Sequence, residues 1–162
     1  MPEKNHKFLI DLLNNKNDSN VELHLIGGGE IEQEIRDYAK KNNVEGQVFF
    51  HGEKNMPYYI LNQFDLMIFP SIREGFGIAV LEAQALGVPT IISDRVPKST
   101  IIIPEIVQQI SLDSSLDNWL LAIDNFCQDK VRPTLSERKK FFNSSGVNIS
   151  NSVKIMVEKL YC

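Results

Sequence analysis

At 162 residues and a net charge of −4, the chain has the size of one ordinary domain and no overall electrostatic attraction for nucleic acid. Hydrophobic residues at 43% and charged residues at 23% are typical of a globular chain with a core, and no apolar run approaches the roughly 18 residues of a membrane-spanning helix. The opening Met1-Pro2-Glu3-Lys4-Asn5-His6-Lys7 is too polar for a signal peptide, and Cys127 and Cys162 are 35 positions apart with no histidine nearby, which excludes a disulfide framework and zinc spacing and points to a reducing cytoplasm.

Along the chain, Phe8 to Leu13 is apolar on a helical period, and Asn14 to Asn20 is a polar turn cluster. Val21 to Ile26 reads as a short strand closed by Gly27-Gly28-Gly29, and Ile31 to Asn42 as an amphipathic helix with Ile31, Ile35, Tyr38 and Ala39 on one face. Val48 to Phe50 is a second strand ended by Gly52, Met56 to Gln63 is helical, and Leu66 to Phe69 is a buried-type strand. After a loop from Pro70 to Phe76 comes a helix from Gly77 to Leu86. It is stopped by Gly87, suited to a left-handed cap, and by Pro89. Thr90 to Ser93 is the next strand, Ile101 to Leu112 holds strand-like runs, and Leu116 to Phe126 is a helix around Trp119. Ser136 onward is polar and helical, with a last helix over Val153 to Leu160. Strands that are continuously apolar and alternate with helices predict an α/β fold: a Rossmann-like parallel sheet covered by helices on both faces. Because a helix comes first, a further strand is expected before residue 1.

The segment from Pro70 to Pro89 carries the chemistry. It runs from strand to glycine-rich loop to apolar helix, at the carboxyl end of a strand where open α/β sheets place ligands. Gly75 and Gly77 let backbone approach a ligand closely, and the N–H groups of Gly77, Ile78 and Ala79 are the unpaired donors of a helix start, suited to phosphate. Glu82 is the odd residue in a helix that is otherwise mostly apolar, and burying a carboxylate unpaired is costly. It either braces a neighbouring loop or accepts hydrogen bonds from a ribose. Glu74 is either solvated or faces a sugar.

Glu74-Gly75-Phe76-Gly77 through Glu82-Ala83, closed by Gly87-Val88-Pro89 and followed by Ser93-Asp94, resembles the signature of glycosyltransferase family 4. Lys4 to Ile10 is similar to the start of that family's first donor-domain helix, and Ile26 to Gly29 to its glycine turn. Phe49 to Gly52 and Asp65 to Ser71 resemble the following strands, and Ser93 to Lys98 the form found in capsule and exopolysaccharide enzymes. The resemblance covers most of residues 1–162. It implies the C-terminal half of a GT-B enzyme: a single domain that binds a nucleotide-diphosphate sugar, in an enzyme that retains anomeric configuration and whose N-terminal acceptor domain is absent from this chain. By the same resemblance Glu74 lies beside the donor sugar and Lys4 neutralises the diphosphate, the two residues expected to be catalytic. Glu82 binds the ribose, and Gly75, Phe76, Gly77, Ile78 and Ala79 contact sugar and phosphates. Gly28 belongs to the glycine turn, and Gly52, Glu53 and Lys54 lie near the base. No metal or other cofactor is expected. The location implied is cytoplasmic, with the full enzyme peripheral at the inner membrane face.

The chain departs from the family in three ways. The Gly-Arg motif that precedes the matching lysine would fall before Met1, the acceptor domain is missing, and Ser99 stands where glutamate is common. The isolated chain is therefore expected to bind nucleotide without useful turnover. Two other readings remain open at this stage: a second kind of GT-B enzyme such as a nucleotide-sugar epimerase, and a non-catalytic Rossmann-like module binding nucleotide or a partner. Among the remaining residues, His24 reads as packed or hydrogen-bonded and Arg73 as a loop arginine within reach of phosphate. Trp119 and Phe126 read as core, and Lys139-Lys140-Phe141-Phe142 as a helix with a solvated side.

Overall fold

A computed structural model describes residues 2–53, 58–129 and 132–145. Five short strands occur there: β1 (Leu23–Leu25), β2 (Val48–Phe50), β3 (Met67–Phe69), β4 (Thr90–Ser93) and β5 (Val107–Ile110). Six helices accompany them: α1 (His6–Lys16), α2 (Glu32–Lys41), α3 (Tyr58–Leu61), α4 (Ile78–Leu86), α5 (Leu116–Asp129) and α6 (Leu135–Ser144). All strand pairs are parallel. β1 lies beside β2 with Leu23 opposite Val48, and β4 lies between β3 and β5 with Thr90 opposite both Met67 and Val107. Among the described residues the strands thus form two hydrogen-bonded parallel sheets, of two and three strands, where the sequence suggested one. β1 and β3 do not pair, yet Leu23 and Leu25 share one apolar cluster with Leu66, Ile68 and Ile91.

The alternation of β4 shows why helices cover both faces. Ile91 points into a cluster with Trp119 and the apolar side chains of α1 and α2, whereas its neighbour Ile92 packs with Val80 and Leu81 of α4. Trp119 is fully buried, meets the Phe8 ring edge-on at 5.0 Å, and donates its indole N–H to the Ser111 carbonyl. The core reading of Trp119 and Phe126 is met, since both belong to that cluster.

The apolar run at 101–103 is not strand. The backbone there passes between one-turn 3-10 segments at Lys98–Thr100 and Pro104–Ile106, and only Val107–Ile110 joins the sheet. The reason is Gln84. Its buried side-chain oxygen accepts the N–H groups of Ile102 and Ile103 at 2.8 and 2.9 Å, so these donors are satisfied by a helix side chain instead of a neighbouring strand. Its amide group donates to the Val80 and Thr100 carbonyls. The helix expected over Met56 to Gln63 is observed as α3, its first residues lying outside the described ones, as does the segment Val153 to Leu160. Helix α4 ends as expected on Gly87 in the left-handed region (φ 74°). Arg138 of α6 is buried there, packs against Gly87 and donates to the Ala85 carbonyl at 2.7 Å. A cation thus stands at the negative end of α4.

Replacing Gln84 by leucine keeps the side chain's bulk but orphans the N–H groups of Ile102 and Ile103. The expected loss is about 1–3 kcal/mol for each orphaned group, read as a lower urea-unfolding midpoint. An unchanged midpoint would mean that the 100–103 segment finds other partners.

Candidate functional site

Three of the loops at the carboxyl ends of the strands hold residues selected from sequence. The first follows β3. Pro70 and Ser71 are buried, and Ser93 at the end of β4 donates its hydroxyl to the Ser71 carbonyl at 2.6 Å, fixing the exit of β3. The Ile72 N–H donates to the Glu3 carbonyl at 2.8 Å, which ties the start of the chain to this loop and delivers Lys4. The Lys4 ammonium stands 4.6 Å above the Phe69 ring and 2.5 Å from Glu74 Oε2. Glu74 Oε1 accepts the backbone N–H groups of Gly75, Phe76 and Gly77 at 3.1, 3.3 and 3.1 Å. With its side chain only 13% exposed, Glu74 is not a solvated loop residue. Burial pushes its pKa up, but the Lys4 ammonium and the amides of Gly77 and Phe76 outweigh that, and the carboxyl is held below its usual range.

Gly77 caps α4 in the left-handed region (φ 77°). The first helical residues, Ile78 and Ala79, have no carbonyl a turn earlier to receive their N–H groups. Ile78 and Phe76 expose 62% and 53% of their surface at this entrance, so apolar side chains line the rim beside the polar backbone. Glu82 lies one turn further along, half-buried between Leu81 and Ala83, which are buried. Among the described residues no hydrogen-bond donor or cation meets its carboxylate, and burial raises its pKa.

The other two loops follow β1 and β2 and touch one another. The Gly27 N–H donates to the Gly52 carbonyl at 2.9 Å, with Gly52 in the left-handed region (φ 65°). Gly28 lies against Glu53, whose Cγ stands 3.1 Å from where a Cβ at position 28 would be, so a side chain there would have to push Glu53 aside. Beneath them His24 Nδ1 and His51 Nε2 are 2.9 Å apart, with the His24 ring stacked on Phe49 and its Nε2 2.9 Å from Glu22. His24 is thus the packed, hydrogen-bonded residue expected.

Of the residues selected from sequence, the structure brings Lys4 and Glu74 together with the amides of Gly75, Phe76 and Gly77, and separately joins Gly28, Gly52 and Glu53. Ile78, Ala79 and Glu82 share α4, and Lys54 lies outside the described residues. Arg73 and Lys98 are exposed. Sequence reasoning missed Phe69 beneath Lys4, the hydroxyl tie from Ser93 and the use of Glu74 as a capping acceptor. An acidic side chain just ahead of a helix start is the available signal for that last role. Among the described residues no three His, Cys, Asp or Glu side chains gather as a metal site, and no helix is long and apolar enough to cross a membrane.

Residues 1–141 match the family model described as glycosyl transferases group 1. The chain is 30% identical over 118 residues to the putative glycosyltransferase EpsF of Bacillus subtilis (strain 168), covering 72% of this chain and 31% of that protein. It is 32% identical over 167 residues to protein CapJ of Staphylococcus aureus, covering 96% of this chain and 40% of that one. The structure superposes on that of Anabaena Alr3699/HepE in complex with UDP with a TM-score of 0.68, at 19% identity, over 99% of this chain and 44% of the other. The chain therefore spans about a third to two-fifths of the length of these relatives.

Because burial disfavours the charged form of Glu82, Glu82→Gln is expected to stabilise the fold at about pH 7.5. The gain should vanish at about pH 3, below the ordinary carboxylate range, where the carboxyl is protonated in both folded and unfolded chains. The penalty accrues as pH rises from the ordinary carboxylate range through the raised folded pKa, and urea unfolding at the two pH values reads it. A loss of stability at about pH 7.5 would reveal a partner for the charged form.

Proposed function

The chain belongs to the glycosyl transferases group 1 family, and we propose that it is the part of such an enzyme that binds a nucleotide-diphosphate sugar. The observation that carries this reading is Glu82: a half-buried carboxylate without a partner, on the helix whose open N-terminus follows a glycine loop at the carboxyl edge of a parallel sheet. Ribose hydroxyls are donors that would satisfy it, and the free N–H groups of Ile78 and Ala79, one turn nearer the helix start, suit the diphosphate next to that ribose. UDP in the Anabaena neighbour supports a nucleoside diphosphate as the ligand class.

In this reading the bond between sugar and phosphate breaks with its electron pair going to the nucleoside diphosphate. Lys4 and the helix start stabilise that charge without a metal ion. Glu74 lies beside the sugar, and the exposed apolar rim of Phe76 and Ile78 flanks it. Gly28, Gly52 and Glu53 form the end near the base, to which the sequence resemblance also assigns Lys54. The acceptor, a saccharide or lipid-linked saccharide, is held by the acceptor half of the full enzyme, with retention of configuration. A cytoplasmic site, where nucleotide sugars are available, belongs to the same proposal.

Calorimetric titration of this chain with UDP, GDP and ADP tests the reading. One of the three is expected to bind, and Glu82→Ala to weaken it about tenfold to a hundredfold through loss of charge-assisted hydrogen bonds. Absence of binding by all three at millimolar concentration, or binding indifferent to Glu82→Ala, would overturn it.

A further inference from the structure

The Glu74 carboxylate makes four polar contacts, all with groups suited to an anion. One oxygen holds three consecutive backbone N–H groups at the entrance of α4, and the other holds the Lys4 ammonium. Consecutive amides with a lysine beside them form the donor set of a phosphate cradle. Two anions cannot share these donors, because a second carboxylate or phosphate so close would meet the first at like-charge distance.

We propose that Glu74 is a resident stand-in for the phosphate: its carboxylate fills the anion cradle while the site is empty and is displaced when the diphosphate of a nucleotide sugar arrives. This rests on the donor-site reading above and adds a regulation of that same site. The stand-in keeps the cradle's amides and Lys4 partnered in the empty protein. The same contacts lower affinity for any incoming phosphate, because they must be broken first. They also make the site selective: a nucleoside without phosphate offers nothing to exchange for Glu74. Gly75 and Gly77 follow the displaced residue in the loop. Gly77 already adopts a left-handed backbone, and the Cβ position of Gly75 faces open space, so the loop has room to re-aim the carboxylate beside the sugar. The depressed pKa agrees with a carboxylate held in its charged form among donors.

The test compares binding of UDP, inorganic pyrophosphate and uridine to the 162-residue chain, to Glu74→Ala, to Glu74→Gln and to Glu82→Ala. Circular dichroism confirms that each variant is folded, and Glu74→Gln, which preserves the side chain's shape, serves if the alanine variant is not. Removing the stand-in is expected to tighten UDP and pyrophosphate roughly tenfold or more, the scale of one charge-assisted contact no longer broken. Glu74→Gln should fall between, because its amide oxygen still accepts from the backbone but does not hold Lys4. Uridine binding should not change. Unchanged or weaker UDP binding in both Glu74 variants, with Glu82→Ala still weakening it, would overturn the stand-in and leave the donor site standing. Failure of every form to bind UDP, with no effect of Glu82→Ala, would remove the donor site and the stand-in with it.

Discussion

A helix that begins in a glycine loop presents backbone N–H groups that no carbonyl of its own can accept, and in this protein the surroundings of α4 follow from that constraint. The donors at 75–77 are taken by the Glu74 carboxylate, whose second oxygen holds Lys4. That pairing accounts for the path of the first residues, pinned by the hydrogen bond from Ile72 to Glu3, and for the place of Phe69 beneath the ammonium. The next N–H groups, those of Ile78 and Ala79, have no acceptor within the helix and lie beside two exposed apolar side chains. A helix start of this kind supports anion chemistry only if the helix cannot shift.

Three buried polar anchors hold α4 in place. Gln84 ties its middle to the 100–103 segment through three hydrogen bonds to backbone and donates a fourth to the Val80 carbonyl of its own helix. Arg138 closes its carboxyl end by donating to the Ala85 carbonyl against Gly87. At the other end, Ser93 grips the Ser71 carbonyl, so the loop that feeds the helix leaves β3 at a fixed angle. Around these ties the helix is almost wholly apolar, with Val80, Leu81, Ala83, Ala85 and Leu86 buried. Glu82 alone breaks that pattern. A charged group left without a partner among well-satisfied neighbours costs stability, and such exceptions mark places where another requirement overrides packing.

Much of this was legible in the sequence. Apolar runs between glycine and turn residues gave β1 to β4 within a residue or two, and Gly87 with Pro89 marked the end of α4. The order of strands and helices gave the parallel α/β architecture. The candidate site was visible as Glu74 and Glu82 on either side of a helix start. What was not legible depends on contacts between distant segments. Ile101-Ile102-Ile103 has the composition of a strand, but Gln84, some 18 residues earlier, takes its backbone donors. Glu74 reads as a residue facing outward until Lys4, 70 positions away, is placed against it. The division of the strands into two sheets likewise has no local signature, because it depends on which edges meet in space.

In the proposed function the open end of α4 and Glu82 together hold the diphosphate and ribose of a nucleotide sugar. A crystal structure of the chain soaked with UDP tests it most directly. The expected result is diphosphate oxygens within hydrogen-bond distance of the Ile78 and Ala79 amides, with a ribose hydroxyl on the Glu82 carboxylate. UDP bound elsewhere, with Glu82 still unpartnered, would contradict it.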